Sequence, residues 1–234
     1  WAHDEGFSYS TEDLLPRGPM PSKWMEYRGH YLHGQKLVLS YSVNGRDILE
    51  MPTKSAGFKA LVHTLRVAPG KQVLHLSVAQ LKGEGARQGF LDPKAALVDL
   101  LSSKKGSSGH LAVMCFPSKG PLEQFVAAAT FGDTDGLNWG FDDQGRLILT
   151  IPASKRSRLF QVIRYAAKTD AQLLSMAGYL GHLNLKNALP DPAKLLRGGK
   201  LRWPDAITTE GSLGKGDAAY VMDTLTLPVK KPGK

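Results

Sequence analysis

The chain has 234 residues, 42% hydrophobic, 22% charged and 8% aromatic, with a formal net charge of +9. That globular mix can bury one large or two small cores, and no stretch approaches the ~18 uncharged apolar residues of a membrane-crossing helix. The single cysteine, Cys115, excludes an internal disulfide and any two-cysteine metal or haem-attachment motif.

The chain opens at Trp1 without a basic-then-apolar leader, as expected of a piece of a longer protein or of a chain that has lost a signal peptide. Residues 1–25 read as an irregular segment: Asp4-Glu5-Gly6 and Arg17-Gly18-Pro19-Met20-Pro21 carry turn and extended chemistry without periodicity. One domain is expected over 26–228, with a basic tail or linker over 229–234.

Regular structure begins with a strand predicted over Tyr27–Leu32. Leu37, Leu39, Tyr41 and Val43 then alternate with Val38, Ser40 and Ser42, the period of a strand with one buried face. Asn44-Gly45 follows, and both residues tolerate positive φ, so a two-residue hairpin turn leads into Arg46–Met51. Further strands are predicted over Phe58–Val67 and Gln72–Ala79, joined by Ala68-Pro69-Gly70-Lys71. Asp92-Pro93 sets an N-cap before a first-turn proline and predicts a helix through Ala95–Leu101. The segment Lys104–Gly109 reads as a flexible loop, and His110–Phe116 and Phe125–Phe131 as strands.

A second hairpin is predicted from Leu137–Phe141 through Asp142-Asp143-Gln144-Gly145 to Arg146–Ile151. A strand over Leu159–Ala166 follows. Thr169 and Gln172 form a capping box that opens a helix with the apolar stripe Leu173, Leu174, Ala177, Leu180 and Leu183. Asp191-Pro192 starts a third short helix, ended by Gly198-Gly199. Many short strands in meander order, with about three short helices, predict a mainly β chain folded as an antiparallel β-sandwich.

No constellation spells out a reaction. His30 and His33 are three apart, which on a strand places them on opposite faces; His33 precedes Gly34 and sits at a turn. His63 and His75 fall on neighbouring predicted strands and are candidates for cross-strand contact, but two ligands do not complete a zinc site. Asp133 with Asp135, and Asp142 with Asp143, are explained by turn chemistry beside glycines. Asp133-Thr134-Asp135-Gly136 lacks the closing glutamate of a calcium loop. Neither a GxSxG, a P-loop nor a dinucleotide glycine fingerprint is present, so neither a catalytic residue, a metal nor a cofactor is expected. Paired acids of the glycosidase kind come from distant positions and are not selected by this sequence.

From Ile151 to Lys234 there are 14 Lys or Arg against 6 Asp or Glu, which places +8 of the +9 there. Without an aromatic RNA motif or a helix-turn-helix pattern, this reads as a solvated basic surface and argues against nucleic acid. The aromatics leave one binding possibility. Trp24, Tyr27, Tyr31, Tyr41 and Trp139 either fill the core or line a sugar-binding platform; the candidate ligand contacts are Tyr27, Tyr31, His33 and Trp139.

Three segments together carry a family resemblance: Tyr27-Arg28-Gly29-His30-Tyr31-Leu32-His33-Gly34 running into Leu37–Val43; Gly145-Arg146-Leu147-Ile148-Leu149-Thr150-Ile151-Pro152; and Arg202-Trp203-Pro204 through Thr208-Thr209-Glu210-Gly211 to Asp223-Thr224-Leu225-Thr226-Leu227-Pro228. The chain resembles an uncharacterised module of large secreted bacterial proteins, placed upstream of a β-propeller similar to sugar dehydrogenases and often with a c-type cytochrome or haem-binding region. The resemblance implies a periplasmic or secreted setting and a neighbouring propeller or cytochrome domain of the same polypeptide as partner. It carries over no catalytic residue. The expectation is a non-catalytic extracytoplasmic accessory domain; the alternatives are a carbohydrate-binding module, with a glycan as partner, and a carbohydrate-active enzyme domain.

Overall fold

The computed structural model describes residues 24–55, 60–80, 87–91, 105–107, 111–116, 124–143, 145–167, 169, 171–172, 175, 189–200, 208–215 and 222–226. The chain divides into two compact units, residues 1–199 and 200–234.

In the first unit, β1 (Met25–His33), β2 (Lys36–Val43), β3 (Arg46–Lys54) and β4 (Ala60–Val67) run as an antiparallel meander. The turn between β2 and β3 is the expected Asn-Gly pair, with φ of 46° at Asn44 and 75° at Gly45. The meander then breaks. β5 (Leu74–Gln80) leaves for a second sheet, and the next partner of β4 is β12 (Arg158–Ala167), some ninety residues later in the chain. β12 also pairs with β9 (Gln124–Gly132), followed by β8 (Leu111–Phe116) and β6 (Arg87–Leu91), completing an eight-stranded antiparallel sheet. The pattern of β12 explains its central place. Val162 and Ile163 are consecutive, point to opposite faces and are both buried, as a strand covered on both sides requires.

The second sheet has four strands in the order β5, β11 (Arg146–Ile151), β10 (Asn138–Phe141) and β7 (Lys105–Ser107), again antiparallel. Leu147, Leu149 and Ile151 alternate into the interior from β11, and Trp139 does so from β10. They share one core cluster with Tyr41, Val43, Ile48, Leu65, Val67, Phe160 and Val162 of the larger sheet. At roughly 25 cal/mol per Å² of apolar surface removed from water, this shared burial is the main force holding the two sheets' residues together.

The opposite face of the larger sheet is also buried, at Val38, Met51, Val62, Thr64 and Ile163. Residues 189–199 lie against that sheet. Arg66 Nη1 donates to Asp191 Oδ2 at 2.7 Å, and Gly199 N donates to Leu32 O at 2.8 Å. Gly132 adopts φ of +105°, and a Cβ there would fall 2.4 Å from Leu189 Cδ1, so glycine is required at this approach.

Three expectations are corrected. The helix expected after Asp191-Pro192 is a single 3-10 turn, Pro192–Leu195, with Asp191 as its N-cap accepting from Ala193 N at 3.0 Å; four residues before a glycine pair are too few for α-helical turns. One half of the capping box at Thr169 is present, with Gln172 N donating to Thr169 Oγ1 at 3.2 Å and helical backbone at Ala171, Gln172 and Ser175. The rest of that helix, and all of the one expected over 95–101, lie outside the described residues, and three helices are not found among the described residues. Finally, the expected flexible loop 104–109 contains β7, whose Lys105, Gly106 and Ser107 pair with Gly140, Trp139 and Asn138. Glycine and serine hid it, because an edge strand can be held by backbone hydrogen bonds without an apolar pattern.

The second unit holds, among its described residues, a two-residue antiparallel pairing of β13 (Gly211–Ser212) with β14 (Thr224–Leu225). Gly214 N donates to Asp223 Oδ1 at 3.0 Å.

Candidate functional site

Period two on β3 places Arg46, Ile48 and Glu50 on the same inward face. Ile48 is apolar and belongs there. Glu50 is a carboxylate, and needs partners to be drawn in. The register supplies them. Glu50 lies opposite Leu65 of β4, so His63 is its diagonal neighbour, and Tyr41 of β2, opposite Ile48, is the diagonal neighbour on the other side.

His63 Nδ1 donates to Glu50 Oε1 at 2.5 Å, and Tyr41 Oη donates to Glu50 Oε2 at 2.7 Å. Burial alone pushes the Glu50 carboxyl up, but the hydrogen bonds from His63 and Tyr41 and the attraction of the imidazole outweigh it, leaving the group below the ordinary carboxylate value. An ionised carboxylate only accepts, so the His63 proton belongs on Nδ1 and Nε2 is the ring nitrogen turned away from Glu50.

The pair lines a cleft of about 150 Å³ between the inward face of the larger sheet and β5. Leu65, Leu76, Val78 and Val162 make its apolar lining, while Glu50, His63, Ser77 and Arg164 supply polar groups. Arg164 Nη1 donates to Val78 O at 3.3 Å and so ties β12 to β5 beside the opening. Half-exposed His63 therefore presents an oriented imidazole over an apolar lining, an arrangement suited to hydrogen-bonding a partner group. Among the described residues of that lining, Glu50 is the one carboxylate.

The residues singled out from sequence do not gather at this cleft. Tyr27 and Tyr31 are both on β1, but the pairing register shifts between Tyr27 and Gly29. This bulge places Tyr27 opposite inward-facing Tyr41 and Tyr31 opposite outward-facing Val38, so the two rings lie on opposite sides of the sheet. Tyr27 is exposed, and its hydroxyl meets His30 Nδ1 at 2.7 Å. His33 is exposed at the end of β1, before the turn at Gly34. Trp139 is 1% exposed and packs in the core, which removes it from any surface platform. Tyr31 and His33 lie on the same side of β1, but the four residues together do not share one surface.

His63 and His75 are not cross-strand neighbours, contrary to the expectation from their strand order. His63 pairs with Pro52 and Val162 in the larger sheet, whereas His75 pairs with Thr150 in the smaller one. Among the described residues, there is no grouping of three or more His, Cys, Asp or Glu able to hold a metal ion. Asp133 instead receives two hydrogen bonds from Arg156, at 2.7 and 3.1 Å, and Asp142 pairs with Arg146 at 2.6 Å across the second hairpin. Cys115 occupies β8, opposite Arg87 and Phe125.

Sequence reasoning missed Glu50 and Arg46 as interior residues, although a signal was present. The alternation that turns Ile48 inward also turns its neighbours two positions away.

A domain of unknown function, DUF6797, matches residues 1–50, a stretch that contains β1, β2 and the first half of β3 with both Arg46 and Glu50. No curated protein matches the chain.

Proposed function

We propose that this chain is a non-catalytic accessory domain of a larger extracytoplasmic protein, which docks a neighbouring domain by taking one of its side chains into the Glu50–His63 cleft. The observation that carries this reading is the size of the cleft. About 150 Å³ is well below the roughly 300–1,000 Å³ of pockets that enclose small-molecule ligands, yet it has the balance of apolar lining and oriented polar groups that receives an anchoring side chain at an interface.

The resemblance to modules beside propellers and cytochromes supplies the candidate partner, a propeller-type domain of the same polypeptide. The shared core of the two sheets supports reading them as the layers of a sandwich, with the cleft at its rim. Calorimetric titration of the full chain against that neighbouring domain tests the proposal. The expected result is saturable association that weakens about tenfold in His63→Ala; absence of association, both in trans and when the two are joined, overturns it.

A second reading, a carbohydrate-binding module, is favoured by one observation. Tyr27 is 60% exposed and its hydroxyl is tethered to His30, so a flat ring is held ready to stack on a pyranose. Binding on a glycan array that disappears in Tyr27→Ala supports it, and a silent array removes it.

A further inference from the structure

The other end of the inward face carries a second unusual group of charges. Arg46, the first residue of β3, is 0% exposed. Its Nε donates to Ala68 O at 3.1 Å, and its Nη1 to Gln72 O at 3.0 Å and Pro152 O at 3.1 Å. Arg158, the first residue of β12, is 8% exposed and donates through Nη1 to Asp135 O. Register puts both on the inward face at the same end, since Ile48 and Arg158 both lie opposite Val67 of β4 and Arg46 is two residues beyond Ile48.

Neither guanidinium is fully used. Among the described residues, Arg46 Nη2 and Arg158 Nε are buried N–H groups without an acceptor. Buried cations are ordinarily matched by carboxylates; here the partners found are backbone carbonyls. The acids nearby are otherwise engaged: Asp133 and Asp135 face Arg156, and Asp47 pairs with Arg28 at 2.7 Å. Burial first, and then repulsion from Arg158, hold the Arg46 guanidinium below its ordinary value, a sign that the two cations act on each other.

A concave surface opens beside Arg46. It is a shallow, open depression of about 630 Å³, lined by Gly70, Lys71, Ser154 and Lys155 with Pro69 and Ala153. Two reciprocal backbone hydrogen bonds, Gly70 N to Ser154 O at 2.8 Å and Ser154 N to Gly70 O at 2.9 Å, lock its two loops together. Gly70 packs directly on the arginine stem, because a Cβ there would fall 2.5 Å from Arg46 Cγ.

We propose that these two loops form an oxyanion-binding site, in which Lys71 and Lys155 contact a sulfate, phosphate or carboxylate group at the rim and the buried Arg46 and Arg158, which do not line the surface, supply positive field from beneath. Two buried cations without a carboxylate partner raise the potential beside them and favour negative charge at the surface above, and low-dielectric surroundings strengthen the attraction. The site is separate from the Glu50–His63 cleft and does not depend on its role.

The test is calorimetric titration and thermal unfolding of the full chain with inorganic phosphate and with sulfate, at ionic strength held constant with chloride. Saturable heat and a saturable rise in Tm of about 3–6 °C are expected. The double variant Lys71→Ala/Lys155→Ala lies on the surface and should keep a cooperative melt while weakening phosphate binding about tenfold. Arg158→Gln, checked by near-UV circular dichroism for a native core, should weaken it as well, through loss of the buried charge. No binding heat, binding unchanged in both variants, or a non-saturating rise in Tm shared by wild type and variants, as salting-out produces, overturns the proposal.

Discussion

Two ends of one sheet face handle charge in opposite ways. At one end Arg46 is sealed in and bound to the carbonyls of Ala68, Gln72 and Pro152. About 13 Å along the same face of β3, Glu50 is bound to side chains, His63 and Tyr41, and stays open to a cleft. Between them Ile48, Leu65, Val67, Phe160 and Val162 are apolar and buried. The difference is one of chemistry. Arginine offers five donors in a fixed fork and can fasten several loops at once, so it suits a closed end where chain segments meet. A carboxylate only accepts, and it recruits the buried Tyr41 and the partly exposed His63, whose ring also lines the cleft.

The contrast can be broken by experiment, most strongly at the closed end. Arg46→Ala leaves three backbone carbonyls without their donor and empties a large buried side-chain volume, so unfolding in urea should show a loss of about 3–5 kcal/mol. A change within 0.5 kcal/mol, roughly the level of a neutral surface substitution, would mean that the arginine does not fasten the loops. Gly70→Ala is next. Its Cβ would sit 2.5 Å from Arg46 Cγ, and the overpacking should destabilise the chain by about 1–3 kcal/mol. The two substitutions act on one contact, so their effects should not add in a double-mutant cycle.

At the open end, Glu50→Gln keeps the size of the side chain and removes the charge, with an expected loss of about 1–2 kcal/mol at neutral pH. Its pH dependence is more telling. The folded Glu50 carboxyl lies below its ordinary value of 4.5, so its contribution to stability is complete above that value and is lost as pH falls through the folded one. Urea midpoints measured downward from pH 5 should therefore drop less in Glu50→Gln than in the wild type. Parallel curves would show that the carboxylate gains nothing from His63 and Tyr41. The smallest effect belongs outside both ends: Tyr27→Ala, on an exposed ring, should change stability by less than about 0.5 kcal/mol, which separates a role in binding from a role in folding.

How much of this was legible depended on how local each feature is. The first hairpin follows from alternation in Leu37–Val43 and from Asn44-Gly45, and both survive in the structure with the expected positive φ. The second, Asn138–Phe141 with Arg146–Ile151, survives for the same reason, with Asp142 Oδ1 accepting from Arg146 N at 2.8 Å inside its turn. Strands expected near Gln72, His110, Phe125 and Leu159 are present as β5, β8, β9 and β12. The bulge that separates Tyr27 from Tyr31 was not legible, because one extra residue in a strand leaves no mark in the oily pattern of an exposed edge. Nor was the site. Glu50 and His63 are thirteen residues apart and meet only through the register of β3 on β4.

From its residues alone this chain is committed to short extended segments, to the turns between them and to which side of each strand faces oil, since backbone sterics and the two-residue period act within a few positions. Which strands become neighbours, with β12 between β4 and β9 and β5 in another sheet, was decided by tertiary structure. So was the fate of the inward charges. A buried arginine or glutamate is stable only where distant segments bring the carbonyls, imidazole or hydroxyl that replace water, and those partners come from parts of the chain that only folding assembles.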